Sequence, residues 1–315
     1  MFLDYRSIED LNQSIISNLY KFPHDVDLVV GVPRSGMLPA NLLALYLNKP
    51  FTDIDSFIEG HIYSSGERGR FISKENTHKV IIVDDSIDKG CAKEKAEKKL
   101  SSISSEYEFL FAVVYATENS KPLVDIYCEI IDYPRVFQWN LFHHKSVISR
   151  SCFDIDGVLC QNPPVDDDGP IYKNYILNAT PYIIPSIEIE TLVSCRLEKY
   201  RSETEMWLKN NNVRYKNLIM LDLPTKEDRI KWGKHGEFKG KIYKQSENIL
   251  FVESSLAEAR IICKTSGKQV FCTETMSMLY DNKENDIREY IVRNRKERVI
   301  SLIKAVCKHT LCLFR

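Results

Sequence analysis

The chain alternates short runs of consecutive apolar residues with longer stretches in which apolar residues recur at helical spacing. "VDLVVGV" (26–32) is β-branched and too short for a helix, and "PRSGMLPANLLALYL" follows, its Pro and Gly marking a turn before a helical pattern. The same order of strand, loop and helix returns at "KVIIVDD", "SIDKG" and "CAKEKAEKKLSSI", and two more apolar runs follow at "EFLFAVVYA" and "LVDIYCEII". Strands alternating with helices predict an α/β unit with a mainly parallel sheet flanked by helices.

Between the first two strand–helix units lies "SFIEGHIYSSGERGRFISKENTHK" (56–79), polar and glycine-containing, which predicts a long mobile excursion. Arg68 and Arg70 on it would close over an anion if it acts as a lid. "DYPRVFQWNLFHHKSVISR" (132–150) is irregular and aromatic-rich, and the strand and helix patterns begin afresh beyond it, which places a domain boundary near Lys145. In the second half "CFDIDGVL", "IETLVSC", "KNLIMLD", "NILFVESS" and "KQVFCTE" read as strands, with "EKYRSETEMWLKNNN" and "SSLAEARIICKTSG" as helices. From Glu284 the pattern is that of a helix, apolar on one face and basic on the other. The expected organisation is therefore two α/β domains, 1–145 and 146–283, then a C-terminal basic helical segment, 284–315.

A length of 315 residues suits two domains, each able to bury its own core. The charged fraction of 28% nets to only -1, so no global basic field attracts nucleic acid, and no nucleic-acid partner is expected. The 9 cysteines are scattered without a CxxC pair, and no signal-peptide layout opens the chain, which together point to reduced thiols in a cytoplasmic protein. No apolar stretch approaches the roughly 20 residues needed to span a bilayer. The basic helix offers at most peripheral contact with an anionic membrane surface, the inner membrane in a bacterial cell.

Chemistry enters where the apolar runs end on acids. In an open parallel sheet, ligands sit beyond the carboxyl ends of strands, where helix N-termini and loop amides carry positive partial charge. "GVPRSG" (31–36) and "DDSIDKG" (84–90) both fall there. Asp84 and Asp85, short and fixed at a strand end, suit hydrogen bonds from vicinal sugar hydroxyls, and Gly90 lets the backbone turn around an anion. This combination resembles the type I phosphoribosyltransferases, whose signature is an apolar strand, two acids, a few small residues and a glycine opening a helix. The resemblance implies phosphoribosyl pyrophosphate as donor: Asp84 and Asp85 on its ribose hydroxyls, and Asp88, Lys89, Gly90, Cys91 and Ala92 around its 5-phosphate. Arg34, Ser35 and Gly36 would take its pyrophosphate, Mg²⁺ would bridge pyrophosphate and sugar oxygens, and Asp88 would activate the acceptor. Lys89 and Ala92 stand where the family carries hydroxyl residues, so Lys89 would supply charge in their place.

In the second half, "DIDG" (154–157) is followed in order by Ser194 and Glu253, each at the end of an apolar run. This set resembles the haloacid dehalogenase-like phosphatases. The resemblance implies Asp154 as nucleophile, Asp156 as general acid and base, and Ser194 as donor to the phosphoryl oxygens. Mg²⁺ would be held by Asp154, Glu253 and the Asp156 carbonyl. A lysine ahead of the Glu253 strand would offset phosphoryl charge, with Lys241 favoured over Lys244 and Lys239. "ESS" departs from the paired acids usual in that family. The stretch from Asp156 to Ser194 admits a short insertion, "QNPPVDDDGPIYKNY", but no large cap, which leaves a site open to bulky esters. Neither the adjacent His143 and His144, which diverge in direction, nor the charge run "DDDG" (166–169) is assigned a metal.

A phosphoribosyltransferase followed by a phosphatase makes chemical sense in series, with a plain ribofuranoside as net product. The pairing resembles the modules that add ribofuranose to bacterial surface glycans, which implies a glycan or lipid-linked glycan acceptor. Two other readings stay open: a nucleobase phosphoribosyltransferase with a fused nucleotidase, and a non-catalytic phosphoribosyl pyrophosphate-binding regulatory module with a phosphatase.

Overall fold

The computed structural model describes residues 3–63, 78–163 and 168–281, and the chain divides into one unit ending at Leu141 and a second beginning at Phe142. The first unit opens with strand β1 (Asp4–Arg6) and helix α1 (Ile8–Ser17). Ser7 starts that helix by accepting from the Asp10 amide, while the Asp10 side chain accepts from the Ser7 amide. There follow β2 (Leu28–Gly31), α2 (Met37–Leu47), β3 (Phe51–Asp53), α3 (Ile54–Ile58), β4 (Lys79–Ser86), α4 (Cys91–Leu100), β5 (Glu108–Ala116), β6 (Ile126–Ile130) and β7 (Arg135–Phe137). Five strands form a parallel sheet in the order β3-β2-β4-β5-β6.

Both faces of this sheet are covered, which is why its strands are unbroken apolar runs rather than alternating ones. Val29, Ile81 and Val83 pack with Leu11, Ile15 and Leu43 from α1 and α2, whereas Leu28, Val30, Val80 and Ile82 pack with Ile54, Phe57, Ala96 and Leu100 from α3 and α4. The last three residues of helix α3 fall in the stretch expected to be a mobile excursion. Asp53 caps it by accepting from the amides of Asp55 and Ser56, and Ile54 and Phe57, three residues apart, reach the same core. Arg68 and Arg70 lie outside the described residues. The aromatic-rich segment expected to be irregular contains β7, which pairs in parallel with β1 as a separate two-stranded sheet.

The second unit contains α5 (Lys145–Ile148), β8 (Ser151–Phe153), α6 (Gly169–Asn178), β9 (Ile189–Leu197), α7 (Arg201–Asn210), β10 (Tyr215–Leu221), α8 (Lys226–Trp232), α9 (His235–Gln245), β11 (Leu250–Glu253), α10 (Leu256–Ser266), β12 (Val270–Cys272) and β13 (Ser277–Leu279). Its sheet runs β10-β9-β8-β11-β12-β13, parallel except for the last strand. The segment read as a short insertion after Asp156 includes α6, whose Tyr172 and Ile176 pack with Leu197, Tyr200 and Met220. The expected C-terminal basic segment lies outside the described residues, and among those described no helix is long and apolar enough to cross a membrane.

Helices α9 and α10 approach closely along a glycine stripe. A Cβ on Gly236 would sit 2.8 Å from Ile261 Cβ, and one on Gly240 would sit 2.7 Å from Thr265 Cβ. Both distances are shorter than packed side chains tolerate, so only glycine lets the helices lie this close. Gly240→Leu should lower unfolding free energy by about 1–3 kcal/mol through overpacking, against a smaller gain in helix propensity. Chemical denaturation checks this, and an unchanged midpoint would show that the contact is not tight.

Candidate functional site

In the first unit, the loop from Val32 to Gly36 folds back onto the end of β4. The Val32 amide donates to Val83 O at 2.9 Å, and a Cβ on Gly36 would meet Val83 O at 2.7 Å and Asp84 Oδ1 at 2.8 Å. Asp85 is 4% exposed and accepts from Ser35 Oγ at 3.1 Å and Trp139 Nε1 at 2.6 Å. Its carboxylate therefore ties the loop to the strand end, and Asp84 is the acid beside it not held by those two donors. Asp84 Oδ1 accepts from the Asp85 amide at 2.8 Å. Burial, then the neighbouring Asp85 charge, push the Asp84 carboxyl up to about 8.

The second loop runs from Ile87 to Gly90, where Gly90 takes a left-handed turn (φ 82°) into α4. Two buried groups hold its start: Ser120 Oγ donates to Ile87 O at 3.1 Å, and Arg135 Nη2 donates to the same oxygen at 2.8 Å. Asp88, Lys89, Cys91 and Ala92 are exposed beyond it, and Arg34, also exposed, reaches Asn140 Oδ1 at 3.4 Å. Trp139 stacks on Phe137 at 4.9 Å and 5°, and Phe137 on Tyr115 at 5.1 Å and 16°. Sequence reasoning passed over Ser120, Arg135 and Trp139. The aromatic cluster around Trp139 was visible, but only the fold brings it back to β4.

In the second unit, strand ends deliver acids to one cavity of about 660 Å³, lined by Asp154, Asp156, Ser194, Lys239 and Glu253 among others. Asp154 follows β8, Ser194 lies on β9 and Glu253 ends β11, and the three are 5%, 1% and 1% exposed. The Lys239 ammonium donates to Asp154 Oδ2 at 2.9 Å, Glu253 Oε2 at 2.8 Å and Glu258 Oε2 at 2.7 Å. Lys239 therefore takes the place expected for Lys241, which is exposed. The reason is helical phase: Lys239 shares the buried face of α9 with Gly236, Gly240 and Tyr243, whereas a position two residues on points roughly 200° away. Burial raises the Asp154 carboxyl well above its usual range, with the Lys239 charge opposing. Burial alone would lower Lys239, but Asp154 and Glu253 outweigh it and hold the ammonium charged.

Arg196, 1% exposed and two residues beyond Ser194, grips Asp156: Nε donates to Oδ2 at 3.0 Å and Nη2 to Oδ1 at 2.7 Å. Sequence reasoning missed it, although the "SCR" spacing puts residues 194 and 196 on the same face of a strand. Glu253 Oε1 accepts from the Ser254 and Ser255 amides, and Ser254 Oγ donates to Asp156 O at 3.1 Å. The serines of "ESS" thus act as donors that fix the Glu253 and Asp156 oxygens. The groups expected to hold Mg²⁺ are all oxygens, the donor type that ion takes, and Asp154 Oδ2 and Glu253 Oε2 accept from Lys239 while Asp156 O accepts from Ser254 Oγ. Among the described residues no cluster of three or more His, Cys, Asp or Glu side chains is placed to hold a metal. His143 Nδ1 lies 2.9 Å from Ser186 Oγ and His144 Nδ1 3.1 Å from Ser146 Oγ, so the two rings have separate partners. Of "DDDG", Asp166 and Asp167 lie outside the described residues, and Asp168 pairs with Lys199 at 2.8 Å.

The first unit is thus an α/β domain in which two loops meet acids at the carboxyl edge of a five-stranded parallel sheet. Residues 2–145 match the phosphoribosyl transferase domain family, and this segment is a type I phosphoribosyltransferase domain. Comparison with curated proteins finds no match. Among solved structures, the Helicobacter pylori xanthine-guanine-hypoxanthine phosphoribosyltransferase is 17% identical, covering 44% of this chain and 92% of that one, with a TM-score of 0.33. A purine phosphoribosyltransferase from Pyrococcus horikoshii is 22% identical over 44% of this chain and 94% of its own, with a TM-score of 0.31. A chain of the Pnkp1/Rnl/Hen1 complex is 14% identical over 80% of this chain and 97% of its own, also at 0.31. The family match carries the assignment, and these loose overlaps add no argument to it.

Two outcomes follow from these contacts. Because Asp84 is raised to about 8, the folded chain keeps a proton that the unfolded chain loses above about pH 4, so stability falls as pH rises through that window. Asp84→Asn should melt higher than the native chain at pH 8, with the difference closing toward pH 4, and parallel melting curves across pH would refute the assignment. Arg196→Met leaves Asp156 without its cation and should cost about 3 kcal/mol in denaturant unfolding. A loss below about 0.5 kcal/mol would mean that the pair is solvated rather than structural.

Proposed function

We propose that the chain carries out two reactions in series: transfer of a 5-phosphoribosyl group from phosphoribosyl pyrophosphate to a glycan or lipid-linked glycan hydroxyl, then hydrolysis of the 5-phosphate. One observation carries the reading. A phosphoribosyltransferase domain is followed in the same chain by strand ends that bring Asp154, Asp156, Ser194, Lys239 and Glu253 onto one cavity.

In the transfer step, charge grows on the departing pyrophosphate as the ribosyl carbon becomes cationic. Arg34 and the amides of its loop stabilise that charge, and Asp84 orients a ribose hydroxyl. The loop from Asp88 to Ala92 holds the 5-phosphate, with Lys89 supplying charge, and Asp88 takes the proton of the acceptor hydroxyl.

In the hydrolysis step, Lys239 occupies Asp154 Oδ2, so Oδ1 is the oxygen that attacks phosphorus. The ester bond breaks as the Asp154–phosphate bond forms, and Asp156, fixed by Arg196, protonates the departing ribosyl oxygen. Asp156 then takes a proton from the water that releases phosphate from Asp154. Mg²⁺ bound at the Asp154, Glu253 and Asp156 oxygens would offset the repulsion between carboxylate and phosphate. The wide cavity suits a ribosyl phosphate on a bulky acceptor.

Incubation with phosphoribosyl pyrophosphate, Mg²⁺ and a panel of synthetic glycans, read by mass spectrometry, tests both steps. Asp154→Asn should accumulate a phosphoribosylated glycan, and the native chain the ribosylated one. Consumption of free nucleobases with every glycan untouched would replace the glycan reading with a nucleotide-forming one. Binding of the donor without turnover on any acceptor would leave a regulatory module.

A further inference from the structure

The cavity of the second unit needs hydrogen-bond donors for the non-bridging oxygens of a phosphate ester, and most of its cationic donors are already committed. Lys239 has three N–H donors and three carboxylate acceptors. Arg196 directs its N–H groups to Asp156, Thr204 and Cys160. Ser194 Oγ accepts from the Arg196 amide and keeps its own proton for a ligand.

His235 has the opposite standing. It is the first residue of α9, four before Lys239 and so on the same helix face, and it lines the same cavity as Asp154. Its Nε2 is buried without a hydrogen-bond partner. A buried polar atom left unpaired costs about 1–3 kcal/mol, and such atoms persist where a ligand completes them. Its Nδ1 lies 3.7 Å from Glu258 Oε1, and the Trp232 ring packs against the imidazole at 6.0 Å between centroids. Burial works against the Glu258 carboxylate, but contact with His235 and the Lys239 charge bring it down to about 2, so Glu258 faces the ring as an anion. Glu258 thereby lies against both His235 and Lys239.

We propose that His235 is a substrate-binding residue of the second unit, its Nε2 donating to an oxygen of the phosphate ester in the cavity alongside Ser194. This rests on reading the cavity as a phosphate-ester site.

The test is equilibrium binding of inorganic phosphate, with Mg²⁺ present, to the full chain and to its His235→Ala and His235→Gln variants. Hydrolysis of p-nitrophenyl phosphate is followed in parallel. His235→Ala should bind phosphate about tenfold more weakly while melting no lower than the native chain, and should raise KM more than it lowers kcat. His235→Gln keeps a donor near the Nε2 position and should recover most of the affinity. Equal phosphate affinity in the native chain and His235→Ala overturns the proposal, as does absence of phosphate binding by the native chain. Phosphate binding that depends on His235 in a chain that hydrolyses nothing would support the contact while sinking the phosphatase reading.

Discussion

The ammonium of Lys239, held among Asp154, Glu253 and Glu258, is the contact on which the second unit is organised. Removing an ion of that size from water costs several kcal/mol, and a lysine 3% exposed is tolerable only because three carboxylates meet it. Those carboxylates come from the ends of two strands and from α10, while the ammonium comes from α9. The pair of helices must therefore lie close and in one rotational setting, which the glycine stripe at Gly236 and Gly240 permits. The backbone approach and the charge cluster support each other: with a bulkier helix face, Lys239 would be moved away from Asp154.

The first unit meets the same constraint differently. Its buried acids have no lysine among their described partners. Asp85 accepts hydrogen bonds from Ser35 and Trp139, and Asp84 keeps its proton near neutral pH. A bound cation or a ribose hydroxyl would change that balance, because opposite charge favours the ionised acid. The bond from Ser35 to Asp85 also couples the loop after β2 to the end of β4, so one carboxylate fixes the position of one loop against the strand that leads into the other. Arg135 does comparable work for the other loop by pinning the Ile87 carbonyl, and it is fed from the segment that also carries Trp139.

Both sites share a geometry that parallel sheets impose. Strands that run the same way end on the same edge, so acids placed after apolar runs are gathered there whatever their separation in sequence. The hydrogen bonds around each acid then decide its chemistry: Arg196 fixes Asp156, Lys239 occupies one oxygen of Asp154, and Ser254 and Ser255 orient Glu253. The glutamate-serine-serine sequence departs from a doubly acidic strand end, yet in this packing the serines supply donors where a second acid would have added charge.

The amino-acid sequence by itself determined the central strands of both sheets, because a strand buried on two faces must be an uninterrupted apolar run, but not the short edge strands β3 and β13, and it marked Asp84, Asp85, Asp154 and Glu253 as strand-end acids. It also marked the helices whose apolar spacing is regular. Helix α3, with only Ile54 and Phe57 on its buried face, was lost in a polar surround, and β1 and β7 are too short to announce themselves without each other. The choice of Lys239 over Lys241 and Lys244 was decided only in the tertiary structure, as were the grip of Arg196 on Asp156 and the hydrogen bond from Trp139 to Asp85. Local pattern fixes the period of an element and its apolar face, but the partner of a buried charge depends on helix phase and on which strand ends converge, and those are set by packing between segments distant in sequence.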